Sequence, residues 1–251
     1  MEARMRIRSK KDVEMLQAIG AIVAGCLRSM RKRIRPGVTT RELDDHARDF
    51  LTARGALSAP EVVYRFPGAT CISIHPDVAH GIPGRYRLKP GDVVNIDVSA
   101  VKEGYFADTG GTFQVPPRTP EIDRLFRATR AALQAGMAVA RHGVLLREIG
   151  RVIEDTALKR GFTVLENLGS HGVGRSLHEA PKFIASYPDP RDRRVLEAGQ
   201  VITLEPFLST GATWADERGD GWTLGTRRSF FTAQFEHSLV ITRGKPIVLT
   251  V

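Results

Sequence analysis

Apolar residues near the start of the chain recur at helical spacing: Leu16, Ile19, Val23, Cys26 and Met30 follow at intervals of 3, 4, 3 and 4. That rhythm lays one stripe along a helix and predicts an amphipathic helix over residues 13–32, stopped at "RPGV". A second helix is predicted to open at "TTRELDDHARDFL", where Thr39 and Glu42 stand at capping-box spacing. The pattern then shortens to strand-like runs. "ATCISIH", "GDVVNIDVSAV" and "YFADTGGTFQV" read as strands, the last two joined by "KEG" as a hairpin. Helical spacing returns over residues 119–141 and 145–159, and strand-like sequence at "QVITLEPFL" and "TAQFEHSLVITRG".

One segment breaks both rhythms. In "GSHGVGRSLHEAPKF", His171 and His178 are seven residues apart and would share a helical face. Gly172, Gly174 and Pro181 oppose a helix, by roughly 1 kcal/mol per glycine and 3 for an interior proline. The backbone carrying the two imidazoles is therefore expected to bend.

The two halves of the chain resemble each other. "GVTTREL" from Gly37 pairs with "GVLLREI" from Gly143, "HGIPG" from His80 with "HGVGR" from His171, and "GDVVNID" from Gly91 with "GQVITLE" from Gly199, at offsets of 106, 91 and 108 residues. Three matches in one order indicate an internal duplication with unequal insertions. A repeated unit of two helices and antiparallel strands packs as pseudo-symmetric halves around one core, an α+β arrangement. The whole of residues 1–251 is expected to form this single domain, with residues 1–10 a short leading segment.

Composition bounds the class. Hydrophobic residues make up 42% of 251, enough for a core. The longest apolar run, "AIGAIVAGCL", is short of the about 20 residues that span a bilayer, and "MEARMRIRSKK" lacks the apolar stretch of a signal peptide. A cytoplasmic protein with no membrane partner is expected, and Cys26 and Cys71 alone make no disulfide framework. Lys and Arg outnumber Asp and Glu by 37 to 28, a net +9 that favours transient contact with ribosomal RNA; no DNA partner is expected.

The candidate chemistry lies in four acids. Asp97 closes "NID", Glu205 closes "TLE", and Asp108 in "FADTG" and Glu236 in "FEHS" follow farther along each half. Each sits among Val, Ile, Leu and Phe, where a carboxylate is either solvent-facing or buried with a partner. Four buried together would repel and stay protonated unless cations held them. With an imidazole they form a hard, oxygen-rich set able to bridge two divalent ions about 3.5–4 Å apart. Other chemistries find no support. Lys182 stands where an HExxH motif needs its second histidine, and there is no G-x-S-x-G elbow or P-loop.

The series "AHGIPG", "NIDVSAVKEGYFADTGGTF", "SHGVGRSLHEAP", "ITLEPF" and "AQFEHS" resembles the methionine aminopeptidases of the bacterial type I group, over essentially the whole chain. The resemblance implies the pita-bread fold, a curved antiparallel sheet covered by helices with two divalent metal ions (Mn, Fe, Co or Zn) at its centre. By position it implies Asp97, Asp108, His171, Glu205 and Glu236 as metal ligands, with Asp108 and Glu236 bridging. His80 and His178 match the two non-ligand catalytic histidines, and Glu205 the proton shuttle. A glycine-rich bend then aims His171 at metal and His178 at substrate.

Cys71, Trp222, Phe66 and Leu177 match the pocket for the first side chain. Here Phe66 replaces the usual tyrosine and Leu177 a common phenylalanine, while Pro60 and Val63 stand where a cysteine and a tyrosine are usual. The implied activity is removal of the initiator methionine from nascent peptide N-termini before a small second residue, by a monomer. An X-Pro aminopeptidase or prolidase of the same fold is the enzymatic rival. A non-catalytic RNA- or ribosome-binding member is the other, although such proteins are expected to have lost metal ligands that are all present here.

Overall fold

The computed structural model describes residues 5–251. Among these residues five helices cover antiparallel strands: α1 (Lys10–Arg31), α2 (Thr40–Thr52), α3 (Ala59–Tyr64), α4 (Pro120–Val139) and α5 (Leu146–Leu158). The apolar stripe read from sequence is the buried face of α1, with Leu16, Ile19, Val23, Cys26 and Met30 all at 0% exposure. α1 begins three residues earlier than its stripe implies because Ser9 and Asp12 form a capping box. The helix is long and apolar enough to cross a membrane by composition, but it packs on the long hairpin Val93–Lys102 and Tyr105–Gln114. Of the leading segment, residues 1–4 lie outside the described residues, while Met5 is buried and Arg6 bridges to Gln200.

The duplication is visible bond by bond. Gly37 donates to the carbonyl of Leu88, and Leu88 to that of Val38; Gly143 and Leu196 repeat the exchange with Val144. The amide of Gly91 reaches the carbonyl of Val115 as Gly199 reaches that of Ile241. All four glycines lie at φ between 83° and 89°, where a side chain is strained, so the matched turns need glycine. α1, α2 and the hairpin enclose one apolar core; α4, α5 and the strands Val201–Leu204 and His237–Val240 enclose a second.

Every strand pairing among the described residues is antiparallel. The hairpin pairs also with Cys71–Ile74 and Leu57–Ser58. In the second half, Val201–Leu204 is flanked by His237–Val240 and by Ser170–Gly172, which pairs in turn with Glu179–Ile184. The run "QVITLEPFL" is interrupted, with Phe207–Ser209 turning away to pair with Thr232–Gln234. Leu204 faces His237 and Phe207 faces Gln234, so the register continues across the break and sets Glu205 opposite Glu236. Both glutamates sit at that interruption, rather than inside strands as their apolar neighbours led the sequence to imply.

Candidate metal centre and active-site cavity

The acids converge because two ribbons meet. On the hairpin, Ser99 pairs with Asp108 and Asp97 with Gly110, so Asp97 and Asp108 are diagonal neighbours on one face. The second ribbon is stitched to this one by side chains. Ser238 Oγ accepts from the Asp108 amide at 3.0 Å and donates to its carbonyl at 2.8 Å, and Thr109 Oγ1 donates to the Glu236 carbonyl at 2.9 Å. Asp108, Glu236 and Glu205 are thereby buried beside one another, with Asp97 half-buried at the cavity wall.

His171 completes the cluster. Its Nδ1 lies 2.9 Å from the carbonyl of Gly172, which can only accept, so Nδ1 carries the proton and Nε2 keeps its lone pair. That Nε2 lies 3.3 Å from Glu205 Oε1 and 4.0 Å from Asp108 Oδ2. Burial, then the neighbouring His178, pushes the His171 pKa down to about 3, which keeps the imidazole neutral as a metal ligand must be.

Electrostatics test whether these groups fit a cation. Burial raises the Asp97 pKa, and burial together with the surrounding acids raises those of Asp108, Glu205 and Glu236 well above the carboxylate range. Asp97 Oδ1, Asp108 Oδ1 and Glu236 Oε1 are buried without a hydrogen-bond partner. Three orphaned oxygens in one cluster are not explained by packing. Ligand atoms from Asp108, His171 and Glu236 all lie within 4.8 Å of one another, a spacing one ion can span. Neutral nitrogen and unpaired carboxylate oxygens suit a divalent cation.

Ten of the eleven residues singled out from sequence line a single cavity of roughly 360 Å³; Glu236 alone does not line it and closes the cluster behind. His80 sits at φ 56°, and water reaches it from the cavity while protein encloses the ring. That enclosure lowers its pKa, partly offset by the Asp97 charge. Gly81, next to it, would place a Cβ 2.4 Å from the carbonyl of Ile72, and Gly172 one 2.5 Å from that of Ala180. The repeated His-Gly pairs thus let each imidazole-bearing segment lie against a neighbouring strand.

The His178 ring lies 4.1 Å from that of His171 between centroids, and burial pushes its pKa down to about 4. Phe66 meets Trp222 edge to face at 5.2 Å, with Cys71 and Leu177 buried in the same wall. Pro60 joins the lining, whereas Val63 is exposed and does not.

Sequence reasoning missed the groups that hold these in place. Thr203 Oγ1 donates to Glu205 Oε1 at 2.9 Å and accepts from the His171 amide. Gln234 donates to Glu236 Oε2 at 3.1 Å and accepts from Asn95 at 3.0 Å, in space left by Gly110, whose Cβ would lie 2.5 Å from Gln234 Oε1. Tyr64, Asn167 and Lys182 line the cavity too. Only Tyr64 carried a local sign, as an aromatic residue just before the pocket residue Phe66.

Comparison with known proteins agrees with this geometry. Residues 14–243 match the model of metallopeptidase family M24. Methionine aminopeptidase 2 of Bacillus subtilis (strain 168) is 44% identical over 98% of this chain and 99% of its own length. The crystal structure of methionine aminopeptidase from Rickettsia prowazekii superposes with a TM-score of 0.93, at 34% identity over 98% of this chain and 100% of that one. Prolidase from Pyrococcus furiosus shares the fold, with a TM-score of 0.79 at 21% identity, and this chain spans 66% of it. A matched family, a pita-bread fold and relatives aligned end to end lead to one conclusion: the chain belongs to metallopeptidase family M24, among its methionine aminopeptidases.

Proposed function

We propose that this protein removes the N-terminal methionine from nascent proteins and peptides, by metal-dependent hydrolysis of the first peptide bond. The observation that carries this reading is the cluster of four carboxylates, three buried and Asp97 half-buried, around one neutral imidazole, with three carboxylate oxygens unpartnered. Asp97, Asp108, His171, Glu205 and Glu236 would hold the metal. Bound there, divalent metal supplies Lewis acidity and lowers the pKa of the attacking water. Mn, Fe, Co and Zn all suit this donor set, and availability in the cell selects among them.

The remaining residues bind and move protons. His178, neutral at physiological pH, offers an N–H to the carbonyl oxygen as charge develops there. Glu205, held through Oε1 by Thr203, relays a proton to the leaving amine. His80, across the cavity, hydrogen-bonds near the scissile amide. Phe66, Cys71, Leu177 and Trp222 receive the methionine side chain, whose thioether suits aromatic and sulfur contacts. A preference for a small second residue belongs to the same reading.

Cytoplasmic residence and transient ribosome contact through the basic surface belong to the same reading, since nascent chains are the substrate. The prolidase likeness, at 21% identity, speaks for the fold alone. Metal-loaded protein assayed on methionyl-alanyl, leucyl-alanyl and alanyl-prolyl peptides should release methionine preferentially, and Asp97→Ala should lose at least about 100-fold in kcat/KM. Faster cleavage before proline, or full activity of Asp97→Ala, refutes the assignment.

A further inference from the structure

His171 and His178 neighbour each other in the cavity, yet different groups hold them. Nδ1 of His171 is tied to a carbonyl oxygen; Nδ1 of His178 lies 2.7 Å from the hydroxyl of Tyr64. Tyr64 is the last residue of α3, a helix anchored through its first turn. Ser58 caps α3 through the Glu61 amide and donates to the carbonyl of Ala69, and Glu61 pairs with Arg48 of α2. Immediately afterwards the chain turns through Arg65 at φ 58°, which returns Phe66 to the pocket wall. Tyr64 is thus carried by a helix end, and its half-exposed ring reaches the cavity through its bond to His178.

The direction of the Tyr64–His178 bond follows from acid strength. A phenol is a far stronger acid than the N–H of a neutral imidazole, and an imidazole lone pair accepts better than a phenolic oxygen, so the O–H donates to Nδ1. Burial and the nearby Asp108 charge raise the phenol's pKa further, so it keeps its proton through the neutral range. A neutral imidazole that accepts at Nδ1 carries its own proton on Nε2.

We propose that Tyr64 is a positioning residue that locks His178 in the Nε2–H tautomer, opposite to that of His171, and so presents a fixed hydrogen-bond donor to the cavity. The inference rests on the aminopeptidase reading, in which that donor meets the carbonyl oxygen. Without Tyr64 the ring would divide between two tautomers, one of which offers a lone pair where a donor is needed.

The test uses full-length 15N-labelled protein, metal-free and zinc-loaded, with long-range 1H–15N correlation spectra identifying the protonated nitrogen of His178. Wild type should show Nε2–H alone, and Tyr64→Phe, which keeps the ring and removes the donor, should show a substantial Nδ1–H population. On methionyl-alanyl peptides the variant should lose about three- to tenfold in kcat, with KM changed by less than about twofold. An Nδ1–H tautomer in wild type, an unaltered Nε2–H in Tyr64→Phe, or a loss confined to KM overturns the proposal. The spectra do not depend on cleavage. A protein that failed to release methionine would refute the aminopeptidase reading while the tautomer result still decided the role of Tyr64.

Discussion

Metal-free protein should lose stability as pH rises through 7–8, and metal should abolish the loss. Burial, followed by mutual repulsion, raises the folded-state pKa values of Asp108, Glu205 and Glu236, and burial raises that of Asp97. In the unfolded chain these carboxyls titrate near about 4. Above that pH the folded state therefore holds protons that the unfolded state has released, and the free energy of unfolding falls by about 1.4 kcal/mol per pH unit for each retained proton. The fall continues until pH passes the folded pKa.

Histidines act in the opposite sense. His171 at about 3 and His178 at about 4 lie below their unfolded value, so their contribution is lost only as pH drops beneath about 6.5. The window from pH 7 to 8 isolates the acids. Carboxylates packed this closely cannot all ionise without a cation, so one or two protons are expected to stay in the folded cluster. The expected slope is then about 1.4–2.7 kcal/mol per pH unit. Urea unfolding followed by circular dichroism at pH 7.0, 7.5 and 8.0, with chelator or with manganese, measures it. A chelated protein whose stability is flat or rises over this window, or a slope that manganese leaves intact, refutes the picture of protons standing in for cations.

Substitutions at two positions probe the supporting groups. Asp44, fully buried, accepts from the amides of Ala69 and Thr70 and from Thr70 Oγ1 at 2.8–3.1 Å, just before Cys71 enters the pocket wall. Asp44→Ala strands these donors and should cost about 3–5 kcal/mol by urea unfolding, with Asp44→Asn losing less; a cost under about 1 kcal/mol contradicts the buttress role. Gln234→Leu preserves volume but removes the donor to Glu236, and should weaken metal binding about 10- to 100-fold by chelator competition. Unchanged affinity would show that Gln234 merely fills space.

The legible part of this protein was whatever repeats locally. The α1 stripe and the Thr39–Glu42 capping box are written within a few turns of chain, and the structure uses both as read. α3 was not legible: six residues long, it opens with Pro60 near its start and continues through Val62, Val63 and Tyr64, residues that favour strands. Strands of two or three residues, such as Thr163–Val164 and Asp77–Ala79, are too short to show an alternating pattern. The site divides in the same way. Its acids stood out because duplication places them at equivalent points, whereas Ser238 and Gln234 bond to Asp108 and Asn95, 130 and 139 residues away, and leave no local trace; Tyr64, beside Phe66, showed an aromatic ring but not its partner 114 residues on.

That division has a physical origin in where the two copies meet. The first copy contributes Asp97 and Asp108 on an unbroken hairpin, where diagonal pairing alone brings them together. The second contributes Glu205 and Glu236 at an interruption that keeps register while the flanking strands part to different neighbours. Neither pair by itself gathers enough oxygen for two cations, and each would be a tolerable defect in a half-domain. Joined along the seam held by Thr109, Thr112 and Ser238, they become a concentration of charge that the apolar interior accepts only with protons or metal in place. The chemistry therefore arises on the seam between the two halves, and its strength depends on the hydroxyls and amides that hold them together.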